Sequence, residues 1–242
     1  MSQSSGTATP RTRFFTQASV EQEGDVFALA LDGRRARTPG KTPLAFPTRA
    51  LGEAVAAEWN AQGAAIDPRS MPLTKLANSA IDGVAADPAA VAADLVRYAG
   101  SDLVVYRAGE PDRLVALQAG AWDPVLAWAR GRLGARFSLR EGLMYLEQPP
   151  EAVAAVAAAI ANESPFRLAA LHVMTTLTGS VLIALMHAAG DLDAEAAWHA
   201  SHVDELYQEG RWGEDAEAAE RRAARRAEFD AASRFHALSR PS

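Results

Sequence analysis

A chain of 242 residues, 49% hydrophobic and 22% charged, has the composition of a folded globular protein and the length to bury a full core, as one large domain or two small ones. Its formal net charge of −6 argues against nucleic acid as the main partner, because phosphate binding needs a basic surface. The absence of cysteine removes disulfides, thiol catalysis and cysteine-ligated metals.

Residues 1–10 are rich in Ser and Thr and contain no apolar run, so they cannot form a secretory signal. Arg11 and Arg13 give a faint likeness to an organellar presequence, but the stretch is short and not amphipathic, and residues 1–12 read as a disordered tail. The expected compartment is a bacterial cytoplasm, or the mitochondrial matrix if the source is eukaryotic.

The first folded part reads as β-rich. Residues 26–31 form a strand pattern, Asp32-Gly33 is a turn dipeptide, and 34–38 can return as the second strand of a hairpin. Pro39, Gly40, Pro43 and Pro47 punctuate an extended segment. Thr48 is placed to cap a helix over 49–62 whose Leu51, Val55 and Trp59 form one stripe, with Gly63 as its stop.

From Met71 the pattern becomes helical. Leu73, Leu76, Ala80, Ile81 and Val84 share a face. Asp87-Pro88 is a cap followed by proline at the first helical position, opening a helix to Tyr98. Residues 103–106 fit a short strand or a connection, and 114–133 a helix in which Pro124 is either a break or the start of a second helix capped by Asp123. Residues 137–146 are ambiguous, and 150–162 form an alanine-rich helix. Residues 168–189 carry no charged side chain and are long enough to cross a bilayer, which takes ~20 apolar residues. His172, His187 and a run of hydroxyls make poor lipid-facing surface, so the segment reads as a buried central helix of a chain that does not span a membrane. Asp193 opens a helix to about 208, and a last helix over 214–238 places acids first and arginines later, as the helix dipole favours. No fixed-period repeat is present. The expected fold class is α+β: a tail (1–12), a small β-rich α+β domain (13–70) and a larger C-terminal helical bundle (71–242), with the boundary near 64–72.

Several residues invite a chemical reading. His199, His202 and Glu205 are candidate metal ligands, with His172 or His187 as further partners, but their spacing is not the zincin i, i+4 pair; one partly exposed and one core-edge histidine is the plainer reading. Ser180 lacks the Gly-x-Ser-x-Gly elbow and reads as a small residue for close helix packing. No Walker A or Gly-x-Gly-x-x-Gly pattern occurs, and Asp32-Gly33-Arg34 cannot cradle a triphosphate, so no cofactor is expected. Trp59, Trp122, Trp128 and Trp198 read as core residues. Asp204, Glu205, Glu214 and Asp215, flanked by Tyr207 and Trp212, are the strongest candidates for function: acids beside aromatics can read a basic, partly apolar surface on another protein.

The stretch from His202 to Asp215 is joined upstream by Leu31-Asp-Gly-Arg34, Lys41-Thr-Pro-Leu44, Ala56-Ala-Glu-Trp59, Met71-Pro-Leu-Thr-Lys-Leu-Ala-Asn-Ser-Ala-Ile-Asp82, Arg97-Tyr98, Trp122-Asp-Pro124 and Leu177-Thr-Gly-Ser180. In that order, from about Arg13 to Leu238, the chain resembles the ATP12 family of chaperones for assembly of F1 ATP synthase. Each string is short and weak alone; their shared order is specific. The resemblance implies a non-enzymatic chaperone that binds the free F1 α subunit and prevents its aggregation until the β subunit replaces it. It also implies that Glu205 matches the family's functionally important glutamate. Tyr207 and Gln208 depart from the family's pattern, which leaves their roles open. The readings set against it are a metal-dependent hydrolase using His199, His202 and Glu205, which would carry bound metal, and an accessory subunit that stays in the finished complex.

Overall fold

A computed structural model of the chain describes residues 11–213 and 215–241, the side chains of Arg11 and Trp212 excepted. Of the tail expected over 1–12, residues 1–10 lie outside the described residues, and Arg11–Thr12 are not tail but strand β1; an antiparallel pair of β2 (Ala18–Glu23) and β3 (Val26–Leu31) follows, with Ala18 opposite Leu31 and Glu23 opposite Val26. Asp32 and Gly33 both take positive φ, 48° and 73°, as a two-residue hairpin turn of this type requires. The non-glycine residue is held there by its carboxylate, which accepts the Thr16 and Gln17 backbone N–H groups at 2.9 and 2.8 Å. β4 (Arg34–Arg35) returns along the end of β3, and β5 (Ala45–Phe46) pairs with its beginning.

α1 (Arg49–Asn60) starts at Thr48, whose hydroxyl oxygen accepts the Leu51 N–H, and lays Leu51 and Val55 on the sheet. A Cβ at Gly52 would stand 3.0 Å from a Val20 methyl, so the glycine lets this helix approach the strand. β6 (Ala65–Ile66) then pairs with β1. The small sheet carrying one helix is the β-rich beginning the sequence predicts. Strand β2 was not legible, because only Val20 in its six residues is a strong β-former.

The remainder is helical, as expected. α2 (Pro72–Asn78) begins on a carboxylate from another element: Glu58 accepts the N–H groups of Leu73 and Thr74 at 2.7 and 2.8 Å. It continues as a π turn over Ser79–Gly83 and a 3-10 turn over Val84–Ala86. Asp87 caps α3 (Pro88–Ala99) by accepting the Ala90 N–H. A 3-10 turn at Leu103–Val105 leads into β7 (Tyr106–Arg107), followed by α4 (Asp112–Trp128), β8 (Arg140–Glu141) and α5 (Pro150–Ile160). β8 lies parallel to β7 within the segment that the sequence left ambiguous.

Three readings need correction. Pro124 neither breaks nor starts a helix: α4 runs through it. The carbonyl that a proline deprives of its partner belongs to Gly120, which is exposed to water. Asp123, no cap, pairs with Arg107 at 2.9 Å. The uncharged segment is two helices, α6 (Pro165–Thr178) and α7 (Val181–Ala188), divided where Gly179 takes φ 69° and Ser180 accepts the Ile183 N–H at 3.0 Å. Ser180 is therefore a buried cap and not a mid-helix packing residue. The helix opened by Asp193 is likewise two, α8 (Ala194–Ser201) and α9 (Val203–Trp212), with the chain turning at His202. α10 (Ala216–Leu238) closes the fold, capped by Asp215; the expected start at Glu214 lies outside the described residues.

One buried cluster runs from Phe15 to Phe235, with Trp122 and Trp198 inside it and Trp59 and Trp128 packed partly buried against it. Among the described residues, no helix is long and apolar enough to cross a membrane.

Candidate functional site

The acidic stretch lies on α9 and the turn into α10, and what surrounds each side chain separates the acids. Asp204 is half-buried. Its carboxylate accepts the amide N–H of Gln118 at 2.7 Å, and the other end of that amide accepts the Ala108 N–H at 2.8 Å. Gln118 is only 3% exposed, so this relay fastens α9 to α4 through the protein interior. Four residues on, Trp122 reaches the same side of the bundle and donates to the Ala200 carbonyl at 2.6 Å. Asp204 is thus engaged in holding α9 in place.

Glu205 points the other way. Its side chain is 55% exposed, with the His202 ring 3.5 Å away. His202 is buried, stacked on Trp198 with ring centroids 4.0 Å apart, and its Nδ1 lies 2.9 Å from the Trp198 carbonyl. Burial holds the imidazole below its ordinary pKa, against the upward pull of the Trp198 carbonyl and Glu205. Leu206 beside it is exposed. Tyr207 is half-buried, with the Arg211 guanidinium 5.9 Å from its ring centre. Asp215 is exposed and caps α10 by accepting the Glu217 N–H at 3.0 Å. The Trp212 side chain and Glu214 lie outside the described residues.

Glu205, Glu209 and Asp215 face Arg221, Arg222 and Arg225 of α10 across a groove of about 480 Å³. Glu209 and Arg222 form an ion pair, and Arg225 donates to the Leu177 carbonyl at 2.8 Å. The surface therefore alternates in sign. The sequence separates these arginines from the acids by a turn, and a linear reading had no means to put them opposite one another. Gln118 was also missed; a lone glutamine on a helix gives no signal of its destination.

The histidines do not converge. His199 is exposed and His202 buried, His172 Nε2 lies 2.8 Å from Asp94, and His187 spans the Leu192 carbonyl and the Ser233 hydroxyl at 2.8 and 2.7 Å. Among the described residues, no three His, Asp or Glu side chains stand close enough to share an ion. Asp94 also pairs with Arg97, and both partners, Arg97 first, hold its carboxyl below the usual range.

The arrangement is an exposed ledge of Glu205 and Leu206 beside a groove lined by side chains of both signs. The family model for the ATP12 chaperone protein matches residues 12–130. Over 95% of its length the chain superposes on Atp12 from Paracoccus denitrificans with a TM-score of 0.91 and 43% identity, covering 99% of that chain. It superposes equally, with a TM-score of 0.91 and 46% identity, on the Atu1473 protein from Agrobacterium tumefaciens, covering 95% of this chain and 86% of that one. Protein atp12, mitochondrial, of Schizosaccharomyces pombe is 22% identical over 213 residues, which is 83% of this chain and 73% of that protein. The chain belongs to the ATP12 chaperone family.

Proposed function

We propose that this chain is an assembly chaperone for F1 ATP synthase, which binds the unassembled α subunit and keeps it from aggregating until the β subunit takes its place. The likeness to Atp12 over 95% of the chain is the observation that carries this reading. The physical task is well defined. A free α subunit exposes the apolar surface that it will bury against β, and such surface drives association with anything apolar. A chaperone must cover it firmly enough to outcompete self-association and loosely enough to yield to the true partner. A contact with a modest apolar centre and charged surroundings suits that balance, since charge complementarity speeds encounter and selects the partner.

Within that reading Glu205 is the proposed contact to a basic group of the α subunit, with Leu206 supplying apolar surface, and Tyr207, Trp212, Glu214 and Asp215 are proposed as further members of the contact. Asp204 acts from behind, by holding α9 against Gln118. The test is a pull-down with separately expressed α and β subunits, with the assembled enzyme as control. Selective capture of free α, reversed by β and lost in Glu205→Lys, supports the proposal. Capture of the assembled enzyme instead would make the chain an accessory subunit, and capture of nothing by a folded protein would defeat the chaperone reading.

A further inference from the structure

The segment that the sequence left ambiguous is fastened at both ends. Gln148, only 4% exposed, accepts the Ser138 N–H at 2.9 Å through its amide oxygen and donates to the Ser138 carbonyl at 3.1 Å through its nitrogen. One glutamine thereby closes a loop over residues 138–148, within the roughly 6–16 residues of a compact Ω loop. β8 holds its first arm against β7. A Cβ on Gly109 would collide with the Glu141 carboxylate, so that acid is folded back onto the chain after β7. Gly142 takes φ 81° at the start of the tip, a conformation that favours glycine.

What this frame presents is apolar. Leu143, Met144 and Tyr145 are 95, 71 and 70% exposed, and Leu139 is exposed on the first arm. Half of the large apolar side chains exposed among the described residues lie within positions 139–145. Apolar surface gathered in one place marks an interaction site, whereas scattered exposed residues mark nothing. The neighbouring charge is of one sign. Arg130, Arg132, Arg136 and Arg140 are all exposed, none forms an ion pair among the described residues, and no acid lies between the first and the last of them in sequence. The loop's own acids are Glu141, drawn back onto Gly109, and Glu147. In a chain with 30 acidic residues against 24 basic ones this is a local reversal of sign.

Three observations select a protein as the occupant over a lipid surface. Tyr, Met and Arg are residue types enriched where proteins meet, and the chain belongs to a family of chaperones. An anionic bilayer attracts the arginines but repels the rest of a chain of net charge −6. The third observation is position. The peptide unit between Arg107 and Ala108 carries the loop on one side and α9 on the other. Its carbonyl accepts the Gly142 N–H at 2.9 Å, and its N–H donates at 2.8 Å to Gln118, which holds Asp204. The tip is thus mounted at the end of β7, where the helix bearing Glu205 is also anchored.

We infer that the 142–145 tip is a second contact for the unassembled client. Leu143, Met144 and Tyr145 enter an apolar depression on its surface, and the arginines meet acids at the rim of that depression. This contact is opposite in sign to the one proposed for Glu205. A client therefore docks in one orientation, with a basic group toward α9 and an acidic one toward the loop; the reverse orientation sets like charges face to face. Because the tip is fixed before binding, little ordering cost falls on the complex. The inference rests on the chaperone reading for the identity of the client, the F1 α subunit.

The experiment places photoactivatable benzoylphenylalanine at Tyr145 of the full chain and irradiates it with F1 α subunit freshly diluted from denaturant. Cross-linking to α is expected, at a site where apolar residues adjoin Asp or Glu, and added β subunit should abolish it. Leu143→Asp combined with Met144→Asp should weaken α binding about tenfold or more, the loss of roughly one buried side chain. The melting temperature should not change, since both side chains are exposed in the free protein. Arg136→Glu combined with Arg140→Glu should slow association with α about tenfold and leave dissociation nearly unchanged. Capture of α by the wild type with no cross-link at 145, or with both variants binding as tightly, would overturn the inference and leave the chaperone reading standing. A wild type that captures no α would defeat both. Cross-links only to a second copy would reassign the tip to self-association and overturn the inference. Sedimentation with vesicles of phosphatidylcholine containing a quarter phosphatidylglycerol, abolished in the Leu143→Asp, Met144→Asp variant while α binding is kept, would reassign it to a lipid surface and overturn the inference as well.

Discussion

Gln118 donates to Asp204 across 2.7 Å, joining two helices through residues 86 apart in sequence, while the next residue, Glu205, has its side chain 55% exposed. Adjacent acids on one helix thus have separate duties. Asp204→Ala strands a buried amide and should lower stability by about 1–3 kcal/mol, read as an earlier thermal transition. Glu205→Lys loses a long 3.5 Å contact to His202 and sets a cation opposite Arg221, Arg222 and Arg225, but at an exposed site where repulsion is screened, so the transition should move by less than about 1 kcal/mol while α-subunit capture falls. A melting temperature lowered more by Glu205→Lys than by Asp204→Ala would reverse the assignment.

Glu58 ties α1 to α2 with one carboxylate that accepts the Leu73 and Thr74 amides and the Thr74 hydroxyl. Glu58→Ala leaves the first turn of α2 without its acceptor. The expected cost is on the order of 2 kcal/mol in urea unfolding, the range for hydrogen bonds to a charged group. Amide exchange should rise first at Leu73 and Thr74, and unchanged protection there would refute the capping role.

How much of this was legible beforehand differs from element to element. Val26–Leu31, the Asp32-Gly33 turn, the Thr48 cap and the Asp87-Pro88 start were all readable, because each is dictated by residues within a few positions. The breaks at Gly179 and His202 were not. Gly179 sits in a long apolar run whose period continues through it, and His202 carries no cap signature at all. Within the candidate site, Glu205 and Asp215 stood out as charges beside aromatics. The partners that distinguish Asp204 from Glu205, and the arginines of α10 opposite, depend on tertiary placement that short-range patterns do not encode.

Two buried groups give the chain opposing responses to acid. Asp102 is fully buried, and burial raises its pKa from 3.8 to about 6, although Ser180 and the amides of Leu182 and Val104 favour the anion. Between about pH 4 and 6 the folded state holds a proton that the unfolded state has released, so stability falls as pH rises, by on the order of 3 kcal/mol. His236 is 4% exposed, and burial, aided by Arg167, lowers its pKa from 6.5 to about 4. As pH falls from about 6.5 to 4 the unfolded state takes up a proton that the folded state refuses, and stability is lost by a similar amount, about 3 kcal/mol. His236→Leu should therefore gain on the wild type as pH drops, and Asp102→Asn should gain on it as pH rises through the same window. Urea melts at pH 4, 5, 6 and 7 check both slopes; parallel profiles for all three proteins would refute the account.

Gly179 takes φ 69° between α6 and α7, a conformation that costs a side chain roughly 1 kcal/mol. Gly179→Ala should destabilise by about that much, since no atom stands closer than 3.9 Å to the added Cβ and strain is the only penalty. An unchanged urea midpoint would show that the turn relaxes.

The central claim is met most directly by light scattering of the F1 α subunit diluted from denaturant, alone, with this protein, and with its Glu205→Lys variant. The account predicts that an equimolar amount of the protein suppresses scattering, that the variant does not, and that added β subunit releases α into an αβ complex. Scattering equal in all three, with both proteins folded, would contradict it.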